Sequence, residues 1–213
     1  SDLSAGDLVI SEIMQNPNAV NDSNGEYFEI YNASGVEVDL DGLVVSDAGS
    51  DSFTVSGEVL VSAGGYAVFG RDSSSKTNGG LTLDYDYGGS LTLSNADDEI
   101  ILSFGKVEFD RVEYDGGTNF PDPTGASMNL DVDTVDATSN DTGSNWCEAT
   151  STYGDGDLGT PGSANDDCPV APTYTYDADI QAIWDANCAG CHTGGGASGG
   201  LNLDAYTTHV NVA

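Results

Sequence analysis

The chain has 213 residues, enough for one medium-sized domain and an appendage, and carries a formal charge of −32 from 36 acidic and 4 basic side chains. With so few bases there is no footprint to neutralise phosphate, which excludes nucleic acid and makes anionic membranes poor partners. Such acidity suits a salty or calcium-containing exterior, where screening limits self-repulsion. No apolar run reaches membrane-spanning length, no signal peptide is visible and Ser1 is not an initiator methionine, so the chain reads as a mature exported protein.

Residues 7 to about 165 read as all-β, because short runs rich in Val, Ile, Leu, Tyr and Phe alternate with Gly, Asn, Asp and Ser clusters. Predicted strands are Leu8–Met14, Tyr27–Asn32, Gly42–Ser46, Ser52–Thr54, Tyr66–Gly70, Ser90–Leu93, Glu99–Phe104 and Val107–Tyr114. Phe104-Gly105-Lys106-Val107 reads as a tight hairpin turn, with Ile100, Leu102 and Phe104 alternating before it and Val107, Phe109 and Val112 after it. Met14 and Met128 sit in predicted strands of the sandwich and read as core. This spacing gives a β-sandwich, immunoglobulin-like in its strand count.

Acidic clusters follow. Asp97-Asp98-Glu99 reads as a solvated hairpin edge. Asp155 and Asp157 flank a glycine in a turn, and Asp131, Asp133 and Asp136 alternate in a loop, the oxygen-rich setting that calcium favours. No EF-hand pattern is complete, and 27 aspartates cluster readily by chance. Asn21, Asn32 and Asn140 match the N-glycosylation pattern and read as coincidences. Trp146 and Tyr153 flank Cys147 as packing residues. Cys147 pairs with Cys168 as a disulfide worth about 3 kcal/mol in loop entropy, which places the protein outside the cytoplasm. Residues 166–173, with two prolines and no periodicity, form a stiff linker.

From residue 174 the pattern changes. Ile180, Ile183, Trp184, Asn187, Cys188 and Cys191 recur at three- and four-residue steps, a helix capped by Asp177 or Asp179. It ends in Cys188-Ala189-Gly190-Cys191-His192, the C-x-x-C-H attachment signature of a c-type haem. Two thiols on one turn can each form a thioether to the porphyrin, and His192 then reaches the iron. A redox dithiol, half a zinc site and a plain disulfide are the competing readings. About forty residues are too few to fold without a metal, a disulfide or a partner, and haem supplies the missing apolar mass. Trp184 and the isoleucines would pack against it. A glycine-rich loop, 194–200, and a short element at 201–206 follow.

The second axial ligand falls to His209, the only other histidine, giving bis-histidine coordination with His192. A five-coordinate iron, or one ligated by another chain, is the competing case, and an open distal side would suit peroxidase chemistry. With two histidines in the chain, no Ser-His-Asp set assembles.

The order of the early strands resembles the lamin tail domain, an immunoglobulin-like module of nuclear lamins and many exported bacterial proteins. The matching blocks are Leu8–Met14, Glu26–Asn32, Val38–Asp47, Gly64–Phe69, Asp98–Leu102, Gly125–Leu130 and Gly159–Asn165. The resemblance covers the chain to Asn165 and implies a binding or scaffolding module without catalytic residues. The terminal segment lies outside it and resembles the start of monohaem cytochrome c modules.

The expectation is therefore an exported chain of two parts, a β-sandwich (1–165) and a short C-terminal helical haem-binding segment (174–213). It would be an electron-transfer or haem-display protein at the cell surface or in the periplasm, not an enzyme. Haem c is the expected cofactor, with calcium as a further one. The partner is a redox protein or further copies of the chain, up to a homopolymer. A structural or adhesive surface protein without redox role is the competing class.

Overall fold

Strand formation follows the β-branched and aromatic runs. The computed structural model describes residues 3–169, 174–175 and 179–193, within two compact units, Ser1–Pro169 and Val170–Ala213. In the first unit the strands, in chain order, are β1 (Leu8–Met14), β2 (Tyr27–Asn32), β3 (Val38–Asp39), β4 (Val44–Ser46), β5 (Ser52–Thr54) and β6 (Leu60–Val61). They continue as β7 (Tyr66–Gly70), β8 (Tyr85–Asp86), β9 (Asp97–Phe104), β10 (Val107–Asp115), β11 (Met128–Leu130) and β12 (Trp146–Glu148). A single helical turn, α1 (Asp22–Gly25), links β1 to β2.

Two sheets make the sandwich. One runs β12-β11-β1-β2-β7-β8, the other β10-β9-β4-β5, with β3 and β6 as a separate pair. Among the described strands, β7 and β8 pair in parallel and the others antiparallel. Ile10, Ile13, Phe28, Ile30, Phe69, Met128 and Leu130 from the first sheet meet Val45, Ile100, Leu102, Phe109 and Val112 from the second. Phe28 stacks on Phe69 at 5.3 Å between ring centroids and on Tyr87 at 5.9 Å. Each such side chain stabilises the fold by roughly 1.5–3 kcal/mol on burial. Met14 and Met128 are fully buried, as expected.

One predicted strand needs correction, and three other regions gain detail. Ser90–Leu93 is not a strand: Leu91 and Leu93 are buried, but the Leu93 N–H donates to Glu26 Oε2 at 3.1 Å instead of a ladder carbonyl. Asp97-Asp98-Glu99 opens β9 at the end of its hairpin, with Asp97 exposed and Asp98 Oδ2 accepting the Ser94 N–H at 2.7 Å. Around the β9–β10 turn, Phe104 and Val107 are exposed and border an apolar groove of about 440 Å³ with Leu3, Val38 and Leu40. Gly105 takes φ +63° there, the Gly-first pattern of a type II′ turn, which carries the hairpin tip past the core. Finally, the first unit runs to Pro169, beyond Asn165. Asp166 Oδ2 takes the N–H groups of Thr150 and Ser151, both at 2.7 Å, so the start of the expected linker is tied to the sandwich; residues 170–173 lie outside the described ones.

Two bulges set the polar interior. β1 shifts register between Ile10 and Glu12, and β10 between Glu108 and Asp110. The second turns Phe109 and Asp110 inward together, so Phe109 and Val112 are both buried despite their odd spacing. Asp110 Oδ2 then accepts the Ile10 N–H at 2.6 Å and Asn140 Nδ2–H at 2.7 Å. Asn140 and Asn32 are fully buried with their amides so engaged, which closes both to glycosylation in the folded chain.

Candidate functional site

The second unit contains the motif. Thr175 N–H donates to Asp179 Oδ2 at 2.7 Å and Asp179 N–H returns to Thr175 O at 3.0 Å, so Asp179 closes the turn entering the helix. It does not cap the helix: Ile180 holds the cap position without a side-chain bond, and Asp177 lies outside the described residues. α2 (Gln181–Asn187) follows, supported by Gln181 Nε2–H donating to Asp185 Oδ1 at 2.6 Å.

Cys188 leaves the helical backbone at φ −120°, ψ −26°, yet its N–H still reaches Trp184 O at 2.8 Å. A new turn, α3 (Ala189–His192), starts from it. The N–H groups of Cys191 and His192 donate to Cys188 O at 3.1 and 3.0 Å, and Thr193 Oγ1–H closes on Ala189 O at 2.7 Å. Cys188, Cys191 and His192 therefore share one turn. Both cysteines are thiols, outside any disulfide. Trp184, Cys188 and His192 are half-buried, Cys191 is exposed, and Ile183 is 56% exposed. No described residue of this unit is buried.

This donor set fits a c-type haem. Two thiols three residues apart and an imidazole directly after the second share one turn, and Ile183 of the preceding helix is exposed. His209, the expected second ligand, lies outside the described residues, as do the glycine loop and the element at 201–206.

The other expected sites fall in the first unit. Cys147 and Cys168 are disulfide-bonded, with Cα atoms 5.6 Å apart. Asp157 is buried and its two oxygens accept the N–H groups of Asn18 and Ala19 at 3.0–3.2 Å; Asp155 is exposed, its own N–H donating to Gly79 O at 2.8 Å. Through these bonds Asp157 clamps one loop to another. Asp131 caps a 3-10 turn by accepting from Asp133 N–H, and Asp136 accepts from Thr138 and Ser139 N–H ahead of the next, each at 2.9 Å. Among the described residues no group of three or more His, Cys, Asp or Glu is gathered as a metal centre.

One constellation escaped the sequence reading. Glu12 on β1 lies directly across from Glu29 on β2, and neither has any solvent exposure. They sit on the outer face of the six-stranded sheet, roofed by the closing segment 159–165. Glu12 Oε1 accepts from Tyr27 Oη at 2.8 Å, Ser127 Oγ at 2.5 Å and Thr160 N–H at 2.8 Å. Glu29 Oε1 contacts Ser11 Oγ at 2.8 Å, and Oε2 accepts the Gly162 N–H at 2.7 Å. Burial pushes both carboxyls up, Glu29 to about 9. The sole signal in the sequence is a Glu embedded in each of two otherwise apolar runs.

A different balance holds at Glu26, which ion-pairs with Arg71 at 3.0 Å. Its carboxyl still rises to about 7, because burial outweighs the Leu93 N–H bond and the guanidinium.

The family model of the lamin tail domain matches residues 2–116, more than half of the chain. The chain belongs to the lamin tail domain family. No curated protein and no solved structure matches it significantly. The lamin tail match takes in β1 to β10 and stops before β11, so the blocks Gly125–Leu130 and Gly159–Asn165 lie beyond it, and so does the C-x-x-C-H turn. The sheets have the arrangement of an immunoglobulin-like sandwich, and among the described residues no helix is long and apolar enough to cross a membrane.

Proposed function

We propose that this lamin-tail protein is an exported c-type haem protein that transfers electrons or displays haem at the cell surface, with the sandwich as its scaffold. The observation that carries this reading is the single turn bearing Cys188, Cys191 and His192 in a unit whose described residues bury nothing. Cys188 and Cys191 would hold the porphyrin through thioethers, His192 would ligate iron, Trp184 would pack on the macrocycle, and His209 would complete the coordination. When bound, haem supplies one-electron transfer.

The chain's own residues set the terms for that group. The break at Cys188 keeps the two sulfurs on one turn, and Thr193 fixes the end of that turn against Ala189. Asp179 and Asp185 stand in this segment without a lysine or arginine, so a partner is basic or is a further copy held by contact rather than charge. The disulfide in the sandwich suits an oxidising compartment outside the cytoplasm, and haem attachment to C-x-x-C-H likewise implies export.

Expression in a host that matures c-type cytochromes, followed by intact mass and a visible spectrum of the denatured protein, tests the proposal. The expected result is the polypeptide mass plus one haem, with an α-band that survives denaturation. A colourless protein with the mass of its amino acids overturns it and leaves an extracellular scaffold. A high-spin spectrum would instead favour an open distal side.

A further inference from the structure

We propose that Glu12 and Glu29 form a proton-binding pair that holds one proton at neutral pH, on Glu29, and that this proton latches the segment Gly159–Asn165 onto the sheet. The inference is independent of the haem reading.

Geometry requires it first. Residues directly opposite in an antiparallel pair share a face with their Cβ atoms about 4.5–5.5 Å apart. Two ionised carboxylates at that spacing, with no exposure, would repel strongly in a low dielectric. The titratable groups acting on the pair are Tyr27 on β2, Tyr66 on β7 and Tyr153 from the loop before the segment, all neutral at pH 7. Among the described residues no arginine, lysine or histidine is a leading influence on either carboxylate.

Donor counting assigns the proton. One oxygen of Glu12 gathers three donors within 2.8 Å, a setting that stabilises an anion. Glu29 spreads its contacts over both oxygens, with Gly162 N–H on Oε2, Ser163 N–H beside it and Ser11 Oγ on Oε1; that last contact, at 2.8 Å, serves equally with Glu29 as donor, leaving the serine hydroxyl to its own acceptor, Glu29 O at 3.5 Å.

The latch is built on the same atoms. Thr160 N–H and Gly162 N–H each dock on one member of the pair. Gly159 crosses so closely that a Cβ there would meet Tyr27 Oη and stand 2.8 Å from Glu12 Oε1. Asn165 Nδ2–H then pins the far end to Ser11 O and Leu130 O at 2.7 and 2.8 Å. A second negative charge beneath this roof is relieved only by water, which enters when the roof lifts.

The pH dependence has a definite sign. Glu29 binds its proton more tightly when covered, near 9, than when uncovered, near 4.5. Closure is therefore strongest at or below about pH 4.5 and weakens as pH rises through 9, by about tenfold per pH unit between.

The test uses the whole chain. The carboxyl carbon-13 shift of Glu29 is followed by NMR from pH 4 to 10, with hydrogen exchange of Thr160 and Gly162 corrected for intrinsic rates. A protonated Glu29 signal at pH 7, and protection of those two amides falling about tenfold per unit between pH 6 and 8, support the latch. The variant Glu29→Gln, which mimics the protonated acid, is expected to keep that protection flat with pH. A Glu29 that titrates near 4.5 in the wild-type protein overturns the proposal without recourse to any variant. So does pH-independent protection in the wild type.

Discussion

The sandwich and the helical segment solve the burial problem in opposite ways. In the first unit Phe28, Phe69 and Ile100 have no exposure, and even the outer face of the larger sheet is roofed. In the described part of the second, Ile183 stands 56% exposed and nothing is buried. A unit that closes its own core tolerates change at its edges, whereas one without a core depends on what it binds. The contrast teaches that haem here would be a structural component of the segment as well as its redox group.

The sharpest way to break the comparison is to replace Cys188 and Cys191 together by serine. Covalent haem is expected to vanish from the denatured protein while the urea midpoint of the sandwich stays put; a shifted midpoint would mean that the sandwich depends on the haem segment. Next in size, Phe28→Ala should cost the sandwich about 3–5 kcal/mol in urea unfolding, with haem content unchanged. Replacing Cys147 and Cys168 by serine should remove about 3 kcal/mol, measured the same way.

The smallest expected effect is a slope. Burial holds Asp110 at about 6, above its ordinary 3.8, so its share of stability is complete below about 3.8 and lost as pH rises to 6. Asp110→Asn keeps an oxygen for Ile10 and Asn140, and should flatten the thermal midpoint against pH over that window. An unchanged slope would show that Asp110 is ionised in the fold.

Much of the sandwich was legible because its strands are long enough to show their composition. The bounds of β1, β2, β5 and β7 fall where the apolar runs end. The two-residue strands β3, β6 and β8 carry too few residues to show alternation. β12 escaped for another reason: Cys147 pairs with the buried Asn129, so polar positions there are not solvent positions. That Cys188, Cys191 and His192 share one turn was legible, since it depends on local spacing alone.

What the sequence determined by itself is local: strand composition, turn residues, and two thiols and an imidazole set within one helical turn. Tertiary structure decided which charges are exposed. Glu12 meets Thr160 across 148 positions, and Asp110 meets Ile10 across 100. A carboxylate reads as solvated in any short window, and only the arrival of a distant segment removes its water and raises its affinity for a proton.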